Sequence, residues 1–373
     1  DVLVGLFHAG TDTSYNSKQD DDLYMTENAS ELVAKEVEGF DVVIAGHDHQ
    51  GHNYTITNDF GKEVLIIAPT SRLKDFADIT ISFDENNNKT IEGKVYSTAS
   101  VDLDYNYLRL FQPFLKDVEA YLNAPIGVID GYMMSTEGIF GDEPMINLIH
   151  KVQLEYSGAD ISFAAPLSLN SYIYKGIQKR SDLFKLYKYD NFLYCMSLTG
   201  KEVKDYLEYS YWGWFNQMKH EDDYLIRYKF NNDGNLTSDF FPQTEVQSYN
   251  YDSAEGIIYT VDVSREAGNR INIVSMSNGE PFSLERKYKV AMTSYRGSGA
   301  GGLITEGAKI PENELVSRIL TVSDNDIKYL ISEWISNNSP VKLDKTANWM
   351  IIPQKWYEKR YLKEKQFFTP KNY

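Results

Sequence analysis

Cysteine is nearly absent. Cys195 is the single one in 373 residues, so the chain forms no internal disulfide. It sits inside the apolar run Phe192–Ser197, where a buried inert thiol is expected rather than a nucleophile. The count alone assigns no compartment. Long apolar runs are missing too: no stretch reaches the roughly eighteen apolar residues of a membrane helix, and no signal-peptide pattern is visible. Positive charge is scarce, with 37 Lys and Arg against 54 Asp and Glu and a formal net charge of -17. No basic track exists along which a nucleic-acid polymer could release counterions, so such partners are not expected. An acidic protein that handles a phosphorylated small molecule needs metal ions or local arginines to offset the repulsion. There is no Gly-x-Ser-x-Gly elbow, so a serine-hydrolase triad has no support. No Lys-Ser or Lys-Thr follows a glycine run, which excludes a Walker-type phosphate loop.

What the chain does have is apolar content, 42% hydrophobic and 14% aromatic, ample for packed cores in two domains of ordinary size. It also has histidines in an unusual place. Four of the six, His8, His47, His49 and His52, fall within the first 52 residues. The stretch Gly46-His47-Asp48-His49 follows the apolar run Phe40 to Ala45, which reads as a buried strand delivering side chains to a loop at its carboxyl end. Open α/β sheets place ligand sites there. Val2 to Gly10 repeats the pattern of apolar strand, histidine and small residue around His8. Neutral imidazole is the commonest ligand for zinc and similar ions, and an i, i+2 pair on a tight loop can diverge toward two neighbouring metals. One histidine after a strand is more often structural; three at strand ends around one amphipathic helix reverse those odds.

Along the chain, a polar loop over 11–22 leads to a helix capped at Asn28-Ala29-Ser30-Glu31 and ended by Gly39. With the flanking strands this makes a βαβ-like unit that carries both histidine sites at one edge. Strands follow at Val64–Ala68 and Ala77–Phe83, the second turning at 84–89 into Lys94–Tyr96 as a hairpin. Apolar residues at 108, 111, 115, 118 and 122 keep helical spacing, with Pro113 placing the helix start nearby. This helix marks a boundary, so the expected layout is 1–104, a connecting helix over 105–124, and 125–373. The fold class is α/β followed by α+β. In the later part, helices are expected at Pro144 to about Leu154, Val203–Tyr211, Glu312 to about Ser323 and Ile327–Ile335. The chain opens almost directly on a core-like strand, which suggests the C-terminal part of a longer protein whose beginning is lost.

Two places in the second part could hold a flat ligand. Tyr189 and Asn191 stand at i, i+2 on one side of an extended segment, and Tyr295 precedes the glycine run 297–302, which would let a ligand approach the backbone. Two aromatic faces can sandwich a purine, each stack contributing roughly 1–3 kcal/mol. With 28 tyrosines present, any one of them is more readily core or surface. Gly297, Gly299 and Gly302 also match G-x-G-x-x-G, but the motif needs a helix opening at the third glycine, and Gly307 with Pro311 argue against one.

His8 in Leu-Phe-His-Ala-Gly, Glu27-Asn28-Ala29 before a helix, and Asp41 to His49 resemble the second half of a calcineurin-like metallophosphatase domain. The remainder resembles the substrate-binding domain of the 5'-nucleotidase family, closest to its 2',3'-cyclic-nucleotide 2'-phosphodiesterase/3'-nucleotidase branch. The stretches that carry this are Tyr187–Asn191, Leu198–Glu202, Gly256–Asp262 and Tyr295 with its glycine loop. The resemblance implies a hydrolase of nucleotide phosphoesters that uses two divalent metal ions (zinc, manganese or similar), located in the periplasm or at the cell surface. It implies that His8 and His47 bind one metal and His49 the other, that Tyr189 and Tyr295 clamp the base of a nucleotide or nucleoside, and that Asn191 touches it. The family's D-x-H, bridging aspartate and G-N-H-E or G-N-H-D segments are not in this chain, so catalytic residues are expected upstream of residue 1 and only half the dimetal site is present. The alternatives are a non-catalytic nucleotide-binding module and, third, a dinucleotide-dependent oxidoreductase.

Overall fold

The computed structural model describes residues 1–12, 28–169, 171–237, 241–342 and 345–368. The chain forms two compact units, 1–113 and 114–373. In the first, short β-branched runs build a sheet in the spatial order Val4–Leu6, Val42–Ile44, Glu63–Ala68, His52–Thr57, the first three parallel and the last antiparallel. The Ser30–Glu36 helix covers one face by burying Ala34 against Val43, Val64 and Ile66. Its cap differs from expectation. Ala29 is the N-cap and no side chain caps it, because Ser30 Oγ instead donates to the Ala9 carbonyl at 2.7 Å. Glu27 and most of the polar loop lie outside the described residues. The hairpin is longer than the sequence suggests, Asp75–Phe83 paired with Lys89–Ser97, and Asp84 organises its turn by accepting from the amides of Asn86 and Asn88.

The helix Tyr105–Asn123 begins well before Pro113, which sits inside it. Asp104 explains the early start, since its carboxylate accepts from the amides of Asn106 and Tyr107 at 2.9 and 3.1 Å. Among the described residues no helix is long and apolar enough to cross a membrane.

The second unit is α+β, built on a five-stranded sheet in the order Ser253–Glu255, Ile161–Ala164, Lys287–Thr293, Phe192–Thr199, Ile319–Asp326. Ile161–Ala164 and Lys287–Thr293 are parallel; the other neighbours are antiparallel. Thr199 and Glu202 form a reciprocal capping box that starts the Gly200–Trp214 helix. That helix buries Tyr206, Leu207, Tyr211 and Trp214 in the main core. The Pro144–Ser157 helix, opened by Glu143 and closed by Gly158 in the left-handed conformation, packs on the sheet beside a second cluster around Ile149 and Leu193. The expected helix from Glu312 to Ser323 is half strand. It stops at Arg318, and Ile319–Asp326 pairs with Phe192–Thr199, where β-branched residues suit a sheet edge.

Candidate functional site

The parallel strands Ile161–Ala164 and Lys287–Thr293 end side by side, and the chain leaving them opens a cleft. Its volume is about 800 Å³ counted out to the open mouth. Ala164 and Ala165 come from the first strand end, and Thr293, Tyr295 and Arg296 from the second. Tyr187, Tyr189 and Asn191 enter from the segment before the Phe192 strand, and Tyr249 and Asp252 from the segment before Ser253. Ile149 and Gln153, one helical turn apart, close it from the Pro144–Ser157 helix. The three residues singled out from sequence, Tyr189, Asn191 and Tyr295, therefore line one cavity, although 295 lies more than a hundred positions from 191.

A buried ion pair fastens the walls together. Arg296 donates to Asp252 through Nε at 3.0 Å and Nη2 at 2.9 Å, through Nη1 to Asn250 Oδ1 at 3.0 Å, and through Nη2 to the Tyr249 carbonyl. Asp252 also accepts from the Tyr206 hydroxyl, and its backbone is held at both N–H and carbonyl by Ser210 Oγ at 2.8 Å. Burial works against the charged guanidinium, but the Asp252 carboxylate outweighs it and holds the Arg296 pKa above its ordinary value. One guanidinium thus ties the Tyr295 segment to the Tyr249–Asp252 segment. It also lies over the Tyr295 ring, 5.3 Å from the centroid, while Tyr295 remains 41% exposed and can meet a ligand. Tyr189 stands edge-on to Tyr249 at 6.1 Å, and burial raises its pKa. Asn191 Nδ2 donates to the buried Tyr187 hydroxyl at 3.2 Å.

Two glycines of the run are packed closely against protein. A Cβ on Gly297 would sit 2.6 Å from the Tyr194 ring, and one on Gly301 2.5 Å from Arg296 Nη1 and 2.6 Å from Asn250 Oδ1. The loop has to be bare there to wrap around the guanidinium. A turn of π-helix, Leu303–Gly307, does open after Gly302, against expectation. It is a single turn, and the flanking strands Lys287–Thr293 and Ile319–Asp326 are separated by the antiparallel strand Phe192–Thr199, so the dinucleotide fingerprint lacks its βαβ context.

In the first unit the histidine loop has its own order. His47 and His49 adopt φ of 70° and 61°, left-handed backbone that is uncommon for residues with a side chain and often marks functional sites. The His8 and His47 rings meet edge to face with centroids 5.2 Å apart. His49 is exposed. Asp48 turns inward: buried, it accepts from the amides of Thr11 at 3.0 Å and Gln50 at 3.1 Å and pairs with His52 Nε2 at 3.2 Å. Burial pushes its pKa up, but these partners prevail and hold it below the usual carboxylate range. Among the described residues no group of three or more His, Cys, Asp or Glu side chains is arranged to hold a metal ion. The His8–His47 pair fits two donors of such a site; the described residues do not complete it.

Sequence reasoning missed Arg296, Asp252, Gln153 and Tyr249. The one available signal was Arg296 itself, an arginine directly beside a clamp candidate in an acidic chain.

Residues 125–307 match the model of the 5'-nucleotidase C-terminal domain. The matched stretch lies inside the second unit. Nearly the whole chain is similar to the trifunctional nucleotide phosphoesterase protein YfkN of Bacillus subtilis, 25% identical over 95% of this chain and 25% of that protein. It is also similar to the 2',3'-cyclic-nucleotide 2'-phosphodiesterase/3'-nucleotidase of Haemophilus influenzae, 22% identical over 95% of this chain and 58% of that one. The chain therefore spans between a quarter and three fifths of these relatives. A Staphylococcus aureus structure described as a 5'-nucleotidase, solved with alpha-ketoglutarate, shares the fold with a TM-score of 0.64 at 21% identity, over 94% of this chain and 64% of that one. Every residue lining the cleft falls within the matched stretch 125–307.

Proposed function

We propose that the chain serves the hydrolysis of nucleotide phosphoesters, 2',3'-cyclic nucleotides and 3'-nucleotides first, and that the cleft of its nucleotidase-type domain binds the base. The observation that carries this reading is the convergence of Tyr189, Asn191 and Tyr295 on one cavity at the carboxyl ends of two parallel strands. Tyr189 and Tyr295 stack on the base, Asn191 touches its edge, and Arg296 keeps the Tyr295 and Tyr249 segments in register. The names of the relatives support phosphoester chemistry on nucleotides. On the same resemblance we place the activity in the periplasm or at the cell surface.

We assign His8 and His47 to one divalent metal and His49 to a second, with the remaining donors supplied from outside the described residues. Such metals, when bound, polarise the phosphoryl oxygens and lower the pKa of a bound water. The chain by itself is then expected to turn over bis(p-nitrophenyl) phosphate slowly with manganese or zinc. If His8 and His47 share an ion, His8→Ala and His47→Ala each weaken zinc binding about tenfold or more, and the double variant loses little beyond either single one. Calorimetric titration with zinc checks this, and additive losses would separate the two histidines.

The base-site reading is tested by titrating adenosine and 3'-AMP into the wild type and Tyr295→Ala. Loss of one stack, roughly 1–3 kcal/mol, weakens both ligands by about five- to a hundredfold. Equal affinities for the two proteins would defeat it. A non-catalytic nucleotide-binding module predicts the same titration but no phosphoester cleavage under any metal supply.

A further inference from the structure

The cleft offers a ligand no uncommitted charge. Arg296 is the one cation and Asp252 the one anion among the described residues that line it, and each side chain is only 3% exposed. A guanidinium has five N–H donors, and here all five are engaged within the protein. Nε donates to Asp252 at 3.0 Å. Nη2 donates to Asp252 at 2.9 Å and to the Tyr249 carbonyl, and Nη1 to Asn250 Oδ1 at 3.0 Å and the Ala300 carbonyl at 3.4 Å. Turning outward to a phosphate would leave the Asp252 carboxylate buried without its partner, which is costly. Lys188 sets its ammonium over the Tyr189 ring, 4.9 Å from the centroid, and is not part of the lining. The rest of the lining is neutral, aromatic and aliphatic residues with the uncharged polar side chains of Gln153, Asn191 and Thr293.

We infer that the cleft recognises the nucleoside and takes no hold of the phosphate: a nucleoside and its 2'-, 3'- and 5'-monophosphates occupy it with the same affinity, and the choice among phosphoesters is made outside it. The inference rests on the base-site reading above and narrows it. Stacking on Tyr189 and Tyr295 and contact with Asn191 engage a base that all four ligands share. What separates them is the presence and place of a phosphate of nearly two negative charges. A site tells such groups apart by a cation that reaches one of them, and a charge-assisted bond from a guanidinium would favour that ligand by roughly tenfold or more. The pairing with Asp252 that fixes the walls of the cleft uses up the one guanidinium in a position to do so.

The test uses the full 373-residue chain and four ligands, adenosine, 2'-AMP, 3'-AMP and 5'-AMP. Divalent ions are chelated, so that no metal holds a phosphate and none of the ligands is hydrolysed. Calorimetric titration at about 0.15 M salt is expected to give four affinities within about threefold of one another. A monophosphate that departs from adenosine by more than that factor, in either direction, overturns the inference and leaves the base site standing. Salt supplies a second measurement. Lowering it from about 0.5 to about 0.05 M should bring the monophosphates no gain over adenosine, because no exposed cation meets them in the cleft. A gain at low salt would reveal such a cation and likewise overturn the inference alone. Absence of saturable binding by all four overturns the base-site reading as well. Every comparison is between ligands on the wild type, so no substitution has to fold for the result to be read.

Discussion

Replacing Asp252 by alanine is expected to destabilise the second unit by roughly 3–5 kcal/mol, the largest effect of any single substitution in the cleft. The reason is the charge it strands. The Arg296 and Asp252 side chains are each only 3% exposed, so water cannot take over the guanidinium when the carboxylate is removed. The carbonyl oxygens of Tyr249 and Ala300 and the Asn250 amide remain as acceptors, which compensate for lost hydrogen bonds but not for lost charge. Removing both partners should cost less. Asp252→Ala with Arg296→Met leaves an apolar side chain and no buried charge, so the double variant is expected to recover a substantial part of the loss. Urea unfolding of wild type, Asp252→Ala, Arg296→Met and the double variant, compared by midpoint with slope held, measures the coupling. A double variant as unstable as the sum of the singles would show that the two groups act independently. The same substitution should also weaken nucleoside binding, because Arg296 fixes both the Tyr295 and Tyr249 segments.

That ion pair also shows where a sequence stops being informative. Asp252 and Arg296 are 44 positions apart, and apart from the place of Arg296 beside Tyr295 nothing in either neighbourhood distinguishes them from surface charges until the sheet brings their strands' ends together. Features set by local chemistry were legible. The parallel pairing of Val4–Leu6 with Val42–Ile44 followed from apolar runs flanking one helix, and the Asp84 turn from its Asp and Asn content. The helix expected over Val203–Tyr211 is present, and it starts at Gly200 because Thr199 and Glu202 close a reciprocal capping box across its first turn. Tertiary competition accounts for the failures. Ser30 left its cap role because the Ala9 carbonyl was within reach, and Ile319–Asp326 became a strand because Phe192–Thr199 offered an unpaired edge. Gln153 was hidden by its own helix: with His150 it is one of two polar residues among otherwise apolar buried positions, and it reads as an irregularity until the cleft it lines is seen.

Lowering the pH should expose a second buried group, His150, through a loss of stability that begins near pH 6.5 and approaches roughly 4–5 kcal/mol at the acid extreme. Fully desolvated on the Pro144–Ser157 helix, its imidazole has a pKa held down to about 3 by burial. It remains neutral between Ser162 Oγ at 2.9 Å and Ser253 Oγ at 3.2 Å. The unfolded chain protonates below about 6.5 and the folded one does not, so the contribution is intact above that pH and disappears as the pH falls toward the folded value. Glu143, at the start of the same helix, works in the opposite direction. Burial lifts its pKa to about 7 despite backbone N–H donors from Met134, Met145 and Ile146, so the folded state holds a proton that the unfolded state gives up. Its contribution is complete below about pH 4.5 and is lost as the pH rises through 7. Between about 4.5 and 6.5 the two slopes, each about 1.4 kcal/mol per pH unit, nearly cancel; below that window only the loss from His150 continues. Unfolding measurements at pH 7.5, 5.5 and 4 on wild type, His150→Gln and Glu143→Gln separate the terms. The deficit of His150→Gln relative to wild type should shrink steadily from pH 6.5 to 4, and that of Glu143→Gln should grow from pH 7 to 4.5. Differences that stay constant across the range would mean that neither group enters the folded state with a displaced proton affinity.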